Sequence, residues 1–121
     1  MKFRMMTAAV AMLGLSTGVV LAQTALVEVD DKVQVAAFNA TVDQVDDLDV
    51  YNAAGAKLGE VEEVVGTDNK TPTALVIDFE GKEGFVDQDV VVPLDQFSWE
   101  NDRLVLSADA AAVGAMEVWK N

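Results

Sequence analysis

Short apolar runs separated by turn residues fill residues 49–106, and this pattern constrains the fold of the chain more than any other feature. Apolar and other side chains alternate through residues 74–80 and 89–94, which is the period of β-strands with one buried face. Residues 58–65 form a third apolar run, and glycine, asparagine and proline mark turns between the runs. We therefore predict a mainly β domain of five or six short strands that curls into a small β-barrel.

The valine spacing in the run at residues 58–65 predicts a distorted strand. Val61 and Val64 are three residues apart, whereas side chains on one face of a regular strand are separated by even numbers of residues. Both valines can face one core only if a β-bulge or a sharp bend lies between them. Gly59 has no side chain and therefore permits close approach of another backbone segment. These features together predict a strongly bent strand.

Two short helices are predicted on either side of the strand region. Thr41 and Gln44 have the spacing of a capping box, which predicts one helical turn after Thr41. Ser107 is predicted to cap a C-terminal helix of about nine residues at 108–116.

The N-terminal segment has the pattern of a secretory signal peptide. Lys2 and Arg4 precede an uncharged apolar run, and small or modest side chains precede a cleavage site after Ala22. The run is short for a transmembrane helix, which needs roughly 20 apolar residues. We predict a signal peptide at residues 1–22, cleavage after Ala22, and a periplasmic or secreted protein that has left the membrane.

The composition excludes several classes of function. The chain has no cysteine and no histidine, which excludes thiolate or imidazole metal sites and serine–histidine or cysteine–histidine catalysis. Its net charge of −13 becomes −15 once the predicted signal peptide removes its two basic residues. Such a surface repels nucleic acids and anionic lipids, while basic proteins and divalent cations remain candidate partners. The same charge also keeps a small exported protein soluble.

Several stretches of the chain resemble the PRC-barrel domain family. Gly59, Val61 and Val64 in DVYNAAGAKLGEVEEVV match the pattern of its opening hairpin. TALVIDFEGKEGF and DVVVPLDQF resemble the next two strands, and RLVLSADAAAVGAMEVW resembles the closing strand and helix. The resemblance places a PRC-type β-barrel at residues 46–119 and leaves residues 23–45 as an extended lead-in that contains the short helical turn.

The resemblance implies a non-enzymatic module for protein binding or assembly, with no catalytic residues to carry over. We also predict no cofactor-binding residues and no metal ligands. Combined with the predicted export, it implies a module of the cell envelope that binds a protein partner. The alternative that the acidic composition leaves open is an envelope protein that binds divalent cations.

Phe85, Asp87 and Asp89 are the candidate contacts for a partner. They lie around the loop after the glycine turn at residues 81–84, and we expect this loop at one rim of the barrel, near residues 68–70. Exposed aromatic residues are enriched at interfaces, which favours Phe85 as a contact. The alternative is that Phe85 belongs to the core.

The carboxylates of the chain match no metal or catalytic motif. A calcium loop starting at Asp47 requires glycine and glutamate where Asn52 and Leu58 stand. Glu60, Glu62 and Glu63 could serve acid–base chemistry only beside a sugar-sized cleft, which a small barrel does not provide. We interpret both acidic groups as solvated surface.

The two tryptophans are predicted to be packing residues. Trp99 precedes Asn101 and Asp102, a pair that indicates a hairpin turn, and Trp119 is expected to pin the terminal helix to the barrel.

Overall fold

The computed structural model describes residues 25–120, and the predicted signal peptide at residues 1–22 lies outside them. Strands dominate the described residues, which confirms the prediction of a mainly β fold. The strands are β1 (Val27–Glu28), β2 (Gln34–Val35), β3 (Ala40–Thr41), β4 (Asp49–Tyr51), β5 (Lys57–Asp68), β6 (Thr71–Phe79), β7 (Asp89–Pro93), β8 (Phe97–Glu100) and β9 (Arg103–Leu106). The helices are α1 (Val42–Val45) and α2 (Ala110–Gly114), with 3-10 turns at Ala36–Phe38 and Leu94–Gln96.

The main sheet follows the order β7-β6-β5-β4-β9-β8, and β1 joins it by pairing with β5. Its neighbours are antiparallel except β4 and β9, which are parallel, and the sheet curls into a half-barrel. The β5–β6 hairpin is longer than predicted because pairing continues to Asp68 and Thr71. The turn between the predicted runs at 58–65 and 74–80 is therefore confined to Asn69 and Lys70.

The predicted distortion of β5 is confirmed. The register between β5 and β6 shifts between Val61 and Glu63, and this irregularity lets Val61 and Val64 both point into the core. The close approach expected at Gly59 is also present, because a Cβ atom there would overlap the carbonyl oxygen of Asp78 on β6.

The segment before β4 packs against the sheet. The amide of Val29 donates a hydrogen bond of 3.0 Å to the carbonyl of Val64, and Val35 and Phe38 are buried in the main core. The predicted capping box of α1 is confirmed, since Thr41 and Gln44 each bind the other's backbone amide through their side chains. The predicted extended lead-in therefore supplies part of the core.

The C-terminal helix is shorter than predicted and begins later. Asp109, and not Ser107, caps α2: its carboxylate accepts a hydrogen bond of 2.8 Å from the amide of Ala112. Ser107 directs its hydroxyl to the carbonyl of Gln96 at 2.8 Å, where β9 ends. Asp109 directly precedes the first helical residue, so its carboxylate reaches the amide of Ala112, three residues later, as an N-cap requires.

The two faces of β6 pack into different clusters. Leu75, Ile77 and Phe79 point into the main core, which agrees with the alternation through residues 74–80 in the sequence. The opposite face carries a second, smaller cluster, which consists of Val65, Ala74, Val76 and Val91 and is covered by Leu26 and Trp119. Trp119 thus packs on the outer face of the sheet, beyond the end of α2, where its amide donates to the carbonyl of Asp89.

No helix within residues 25–120 has the length and apolar character that crossing a bilayer requires.

Candidate functional site

The structure separates the residues that the sequence grouped as a partner contact. Phe85 is 9% exposed and stacks on Phe79 with ring centroids 5.3 Å apart, so it occupies the core position that the sequence left as the alternative. Asp87 is exposed in the loop before β7. Asp89 begins β7 and is half-buried. A contact of Asp87 and Asp89 with a partner stays a prediction.

The expectation that this loop lies near residues 68–70 is wrong. Asp89 pairs with Asp78 at one end of β6, whereas Asp68 pairs with Thr71 at the other end. The seven residue steps from Thr71 to Asp78 correspond to roughly 23 Å of strand. The loop before β7 therefore lies far from the β5–β6 turn, because the hairpin is longer than the sequence indicated.

Asp89 instead belongs to a group of three carboxylates that we call the outer acidic cluster: Glu62, Asp78 and Asp89. One carboxylate oxygen from each lies within 4.8 Å of the others. The pairing of β6 with β7 places Asp78 opposite Asp89, and the distorted stretch of β5 presents Glu62 beside them. Three adjacent strands thus build the cluster.

The electrostatics of the outer acidic cluster oppose full ionisation. Burial raises the pKa of Asp78, and the nearby carboxyl group of Asp89 adds to the effect. Burial also raises the pKa of Glu62, with the charges of Asp89 and Asp78 as further causes. Protons or a cation at this place would relieve the repulsion between like charges.

A second acidic group, the inner acidic cluster, consists of Glu28, Asp46 and Glu63. The carboxyl group of Glu63 lies near that of Glu28, and its Oε2 atom is buried without a hydrogen-bond partner among the described residues. The Oδ1 atom of Asp46 is also buried without a hydrogen-bond partner among the described residues. Burial is the main cause that raises the pKa of Glu63 to about 7 and that of Asp46 to about 6, and neighbouring carboxylates add to both.

The three glutamates that lie close together in the β5 sequence therefore have different surroundings. Glu60 accepts a contact of 3.4 Å from Lys57, Glu62 joins the outer acidic cluster, and Glu63 joins the inner one. The sequence interpretation of a single solvated face missed both clusters. The pairing of Asp78 with Asp89 could have been predicted from the hairpin pattern of the sequence. The partners of Glu62 and Glu63 could not, because they depend on the position of the bulge.

Trp99 lines an open groove at the end of the sheet. Its ring is 38% exposed and lies 6.4 Å from that of Phe38, which also contacts Phe97 edge-on at 6.3 Å. The groove has a volume of about 380 Å³ and is lined by Phe38, Asn39, Ala40, Gln44, Leu48 and Trp99. Trp99 packs on Phe38, as predicted. It also presents apolar surface to solvent, which the sequence analysis did not predict.

These groups are able to bind other molecules. Carboxylates without histidine or cysteine can hold cations or basic side chains, and an exposed indole can contact apolar or cationic groups. These are the means by which a small module recognises another molecule.

Comparison with protein families identifies the family of this chain. The family model described as the PRC-barrel domain matches residues 40–113, slightly displaced from the range of 46–119 that the sequence predicted. A comparison with curated proteins found no match. The PRC-barrel domain is generally a non-catalytic module. The matched range holds most of the curled sheet, from β3 to α2, and the chain belongs to the PRC-barrel domain family.

Proposed function

We propose that this chain is an exported module of the cell envelope that binds another protein and performs no catalysis. The observation that carries the proposal is the family match over residues 40–113, because the domain is generally a non-catalytic module. The basic and apolar N-terminal segment supports export, since this is the pattern of a cleavable signal peptide. The excess of acidic residues favours a basic partner.

Export is tested by the mass of the protein recovered from the envelope or periplasmic fraction. We expect a chain that begins at Gln23, which requires cleavage after Ala22. A full-length chain retained in the cytoplasmic fraction contradicts the proposed location.

Partner binding is tested by recovering the tagged protein from its native envelope after mild crosslinking. We expect one stoichiometric protein, and mass spectrometry of the crosslinked peptides then locates the contact. Asp87→Lys tests the predicted contact, with Asp95→Lys as the control because both side chains are exposed. Loss of the partner in Asp87→Lys alone supports that contact; recovery of the bare chain under every condition contradicts the proposed function.

The second candidate function is binding of a divalent cation, and the outer acidic cluster is the observation that favours it. Calcium takes six to eight oxygen ligands, of which three carboxylates supply up to six when bidentate. The mutual repulsion of Glu62, Asp78 and Asp89 would be relieved by such an ion.

Calorimetric titration with Ca²⁺ and with Mg²⁺ tests the second candidate. We expect binding that is lost in Asp78→Asn and Glu62→Gln but kept in Asp95→Asn, an exposed carboxylate outside the cluster. The ion should also raise the melting temperature more than matched ionic strength does. Equal effects of all three variants would mean that the ion only screens the net charge.

A further inference from the structure

The two edges of the main sheet differ in how they are covered. At β7 the C-terminal tail lies along the edge: the amide of Val91 donates to the carbonyl of Glu117, and Trp119 donates to Asp89. A bridge between Val90 and Val118 continues this contact. At the other edge, β8 pairs only with β9 among residues 25–120.

The hairpin geometry shows which groups of β8 face outward. Asn101 and Asp102 have φ of 53° and 62°, the conformation of a two-residue hairpin turn in which the flanking pair, Glu100 and Arg103, is hydrogen-bonded. Hydrogen-bonded and non-bonded pairs alternate along antiparallel strands, so the backbone groups of Trp99 point away from β9. An extended segment can hydrogen-bond to such an edge.

The side chains at this edge add apolar surface to the open backbone. No residue of β8 is buried, and the exposed part of Trp99 borders the groove above Phe38. Tryptophan and tyrosine are the residues that most often dominate binding energy at protein interfaces. The edge and the groove therefore form one surface.

The negative charge of the protein favours a basic partner for this surface. The described residues contain 21 acidic and 6 basic side chains, because Lys2 and Arg4 lie outside them. Glu100 is exposed on β8 itself, opposite Arg103 on β9. Asp102 lies in a depression that shares Leu48 with the groove, and this depression also holds Asp49 and Arg103, so acidic side chains outnumber basic ones there by two to one. A second copy of this chain or any acidic segment is repelled, whereas lysine and arginine gain from the field and from the face of the indole.

We propose that the β8 edge and the Trp99 groove bind an extended partner segment that carries lysine or arginine, added to the sheet as a further strand. This inference rests on the proposed function as a protein-binding module and specifies its surface and the chemistry of its partner.

The test uses a synthetic peptide of alternating arginine and valine with blocked ends, titrated into the ¹⁵N-labelled protein. We expect a Kd below about 1 mM and chemical-shift changes concentrated at residues 97–100 and at the Trp99 indole. The same peptide with glutamate in place of arginine should produce no shifts. Shifts of equal size over the whole acidic surface, or none at millimolar peptide, overturn the inference.

Two variants separate docking at β8 from attraction to the net charge. Glu100→Lys and Glu117→Lys change the total charge equally, but Glu117 is exposed at the opposite edge of the sheet. We expect Glu100→Lys to weaken peptide binding at least about threefold more than Glu117→Lys, since charge attraction falls with distance. Equal weakening overturns the inference. Trp99→Ala should weaken binding about tenfold, and the charge-reversal pair decides the question if that variant does not fold.

The native partner distinguishes failure of this inference from failure of the proposed function. A crosslinked partner that binds Trp99→Ala and Glu100→Lys as tightly as the wild type overturns the docking surface and leaves the proposed function intact. Peptide binding at β8 without any recoverable partner supports the surface and contradicts the proposed function.

Discussion

Glu28 on β1 and Glu63 on β5 bring two carboxyl groups close together, next to the strand pair that attaches the N-terminal segment to the sheet. Two carboxyl groups that lie close together in a buried place are stable only while one of them holds a proton. Part of the packing between the N-terminal segment and the barrel therefore depends on a group whose pKa, about 7, lies within the physiological range.

We expect the protein to lose stability as the pH rises towards neutrality. Burial raises the pKa of Glu63 from 4.5 to about 7 and that of Asp46 from 3.8 to about 6, so the folded state holds these protons more tightly than the unfolded state. Their stabilising contribution is complete below the lower values and is lost as the pH passes through the higher ones. Thermal melts from pH 4 to 8 should show a loss on the order of 1–3 kcal/mol, reduced by solvent screening.

The variant Glu63→Gln tests the origin of this pH dependence. The amide keeps the shape and remains neutral, so the variant should be more stable than the wild type at pH 8 and similar to it at pH 4. Glu100→Gln is the matched control because Glu100 is exposed. A pH profile that is the same in Glu63→Gln and the wild type would show that other groups cause the loss.

Gly59→Ala should destabilise the fold by about 2 kcal/mol or more, because the new methyl group overlaps the Asp78 carbonyl of the paired strand. Gly114→Ala is the control, since a Cβ atom there meets nothing within 4 Å. That variant should be neutral or slightly stabilising. Urea unfolding of both proteins measures the difference, and equal stability would contradict the close strand contact.

Phe85→Ala should cost about 3 kcal/mol of unfolding free energy, because it removes a buried ring that stacks on Phe79. Asp87→Ala, two residues away and exposed, should change stability by less than about 0.5 kcal/mol. Chemical denaturation measures both variants. A stable Phe85→Ala protein with weakened partner binding would support the prediction that Phe85 contacts the partner.

Asp109→Ala should cost about 1 kcal/mol, because the carboxylate is the acceptor that begins α2. The same change at Ser107 removes one exposed hydrogen bond to Gln96 and should cost less. Amide hydrogen exchange of the α2 backbone distinguishes the two, since only Asp109→Ala should increase exchange in the helix. A larger loss of stability in Ser107→Ala than in Asp109→Ala would indicate that Ser107 caps α2.

The sequence alone predicted the features that depend on neighbouring residues. Alternating apolar residues predicted the strands of the sheet, and the spacing of Val61 and Val64 predicted the bulge, because a strand has only two faces. The Thr41–Gln44 capping box was predictable for the same reason, since its hydrogen bonds span three residues. The resemblance to the PRC-barrel family also came from such local patterns.

Only the tertiary structure decided which distant residues meet. The cluster of Glu62, Asp78 and Asp89 depends on the registers of two strand pairs, and the contact of Glu28 with Glu63 depends on the return of the N-terminal segment to β5. Trp99 remains partly exposed because β8 is the last strand on its side of the sheet. Registers and edges result from the packing of the whole domain, whereas the sequence pattern records only which side of its own strand each residue occupies.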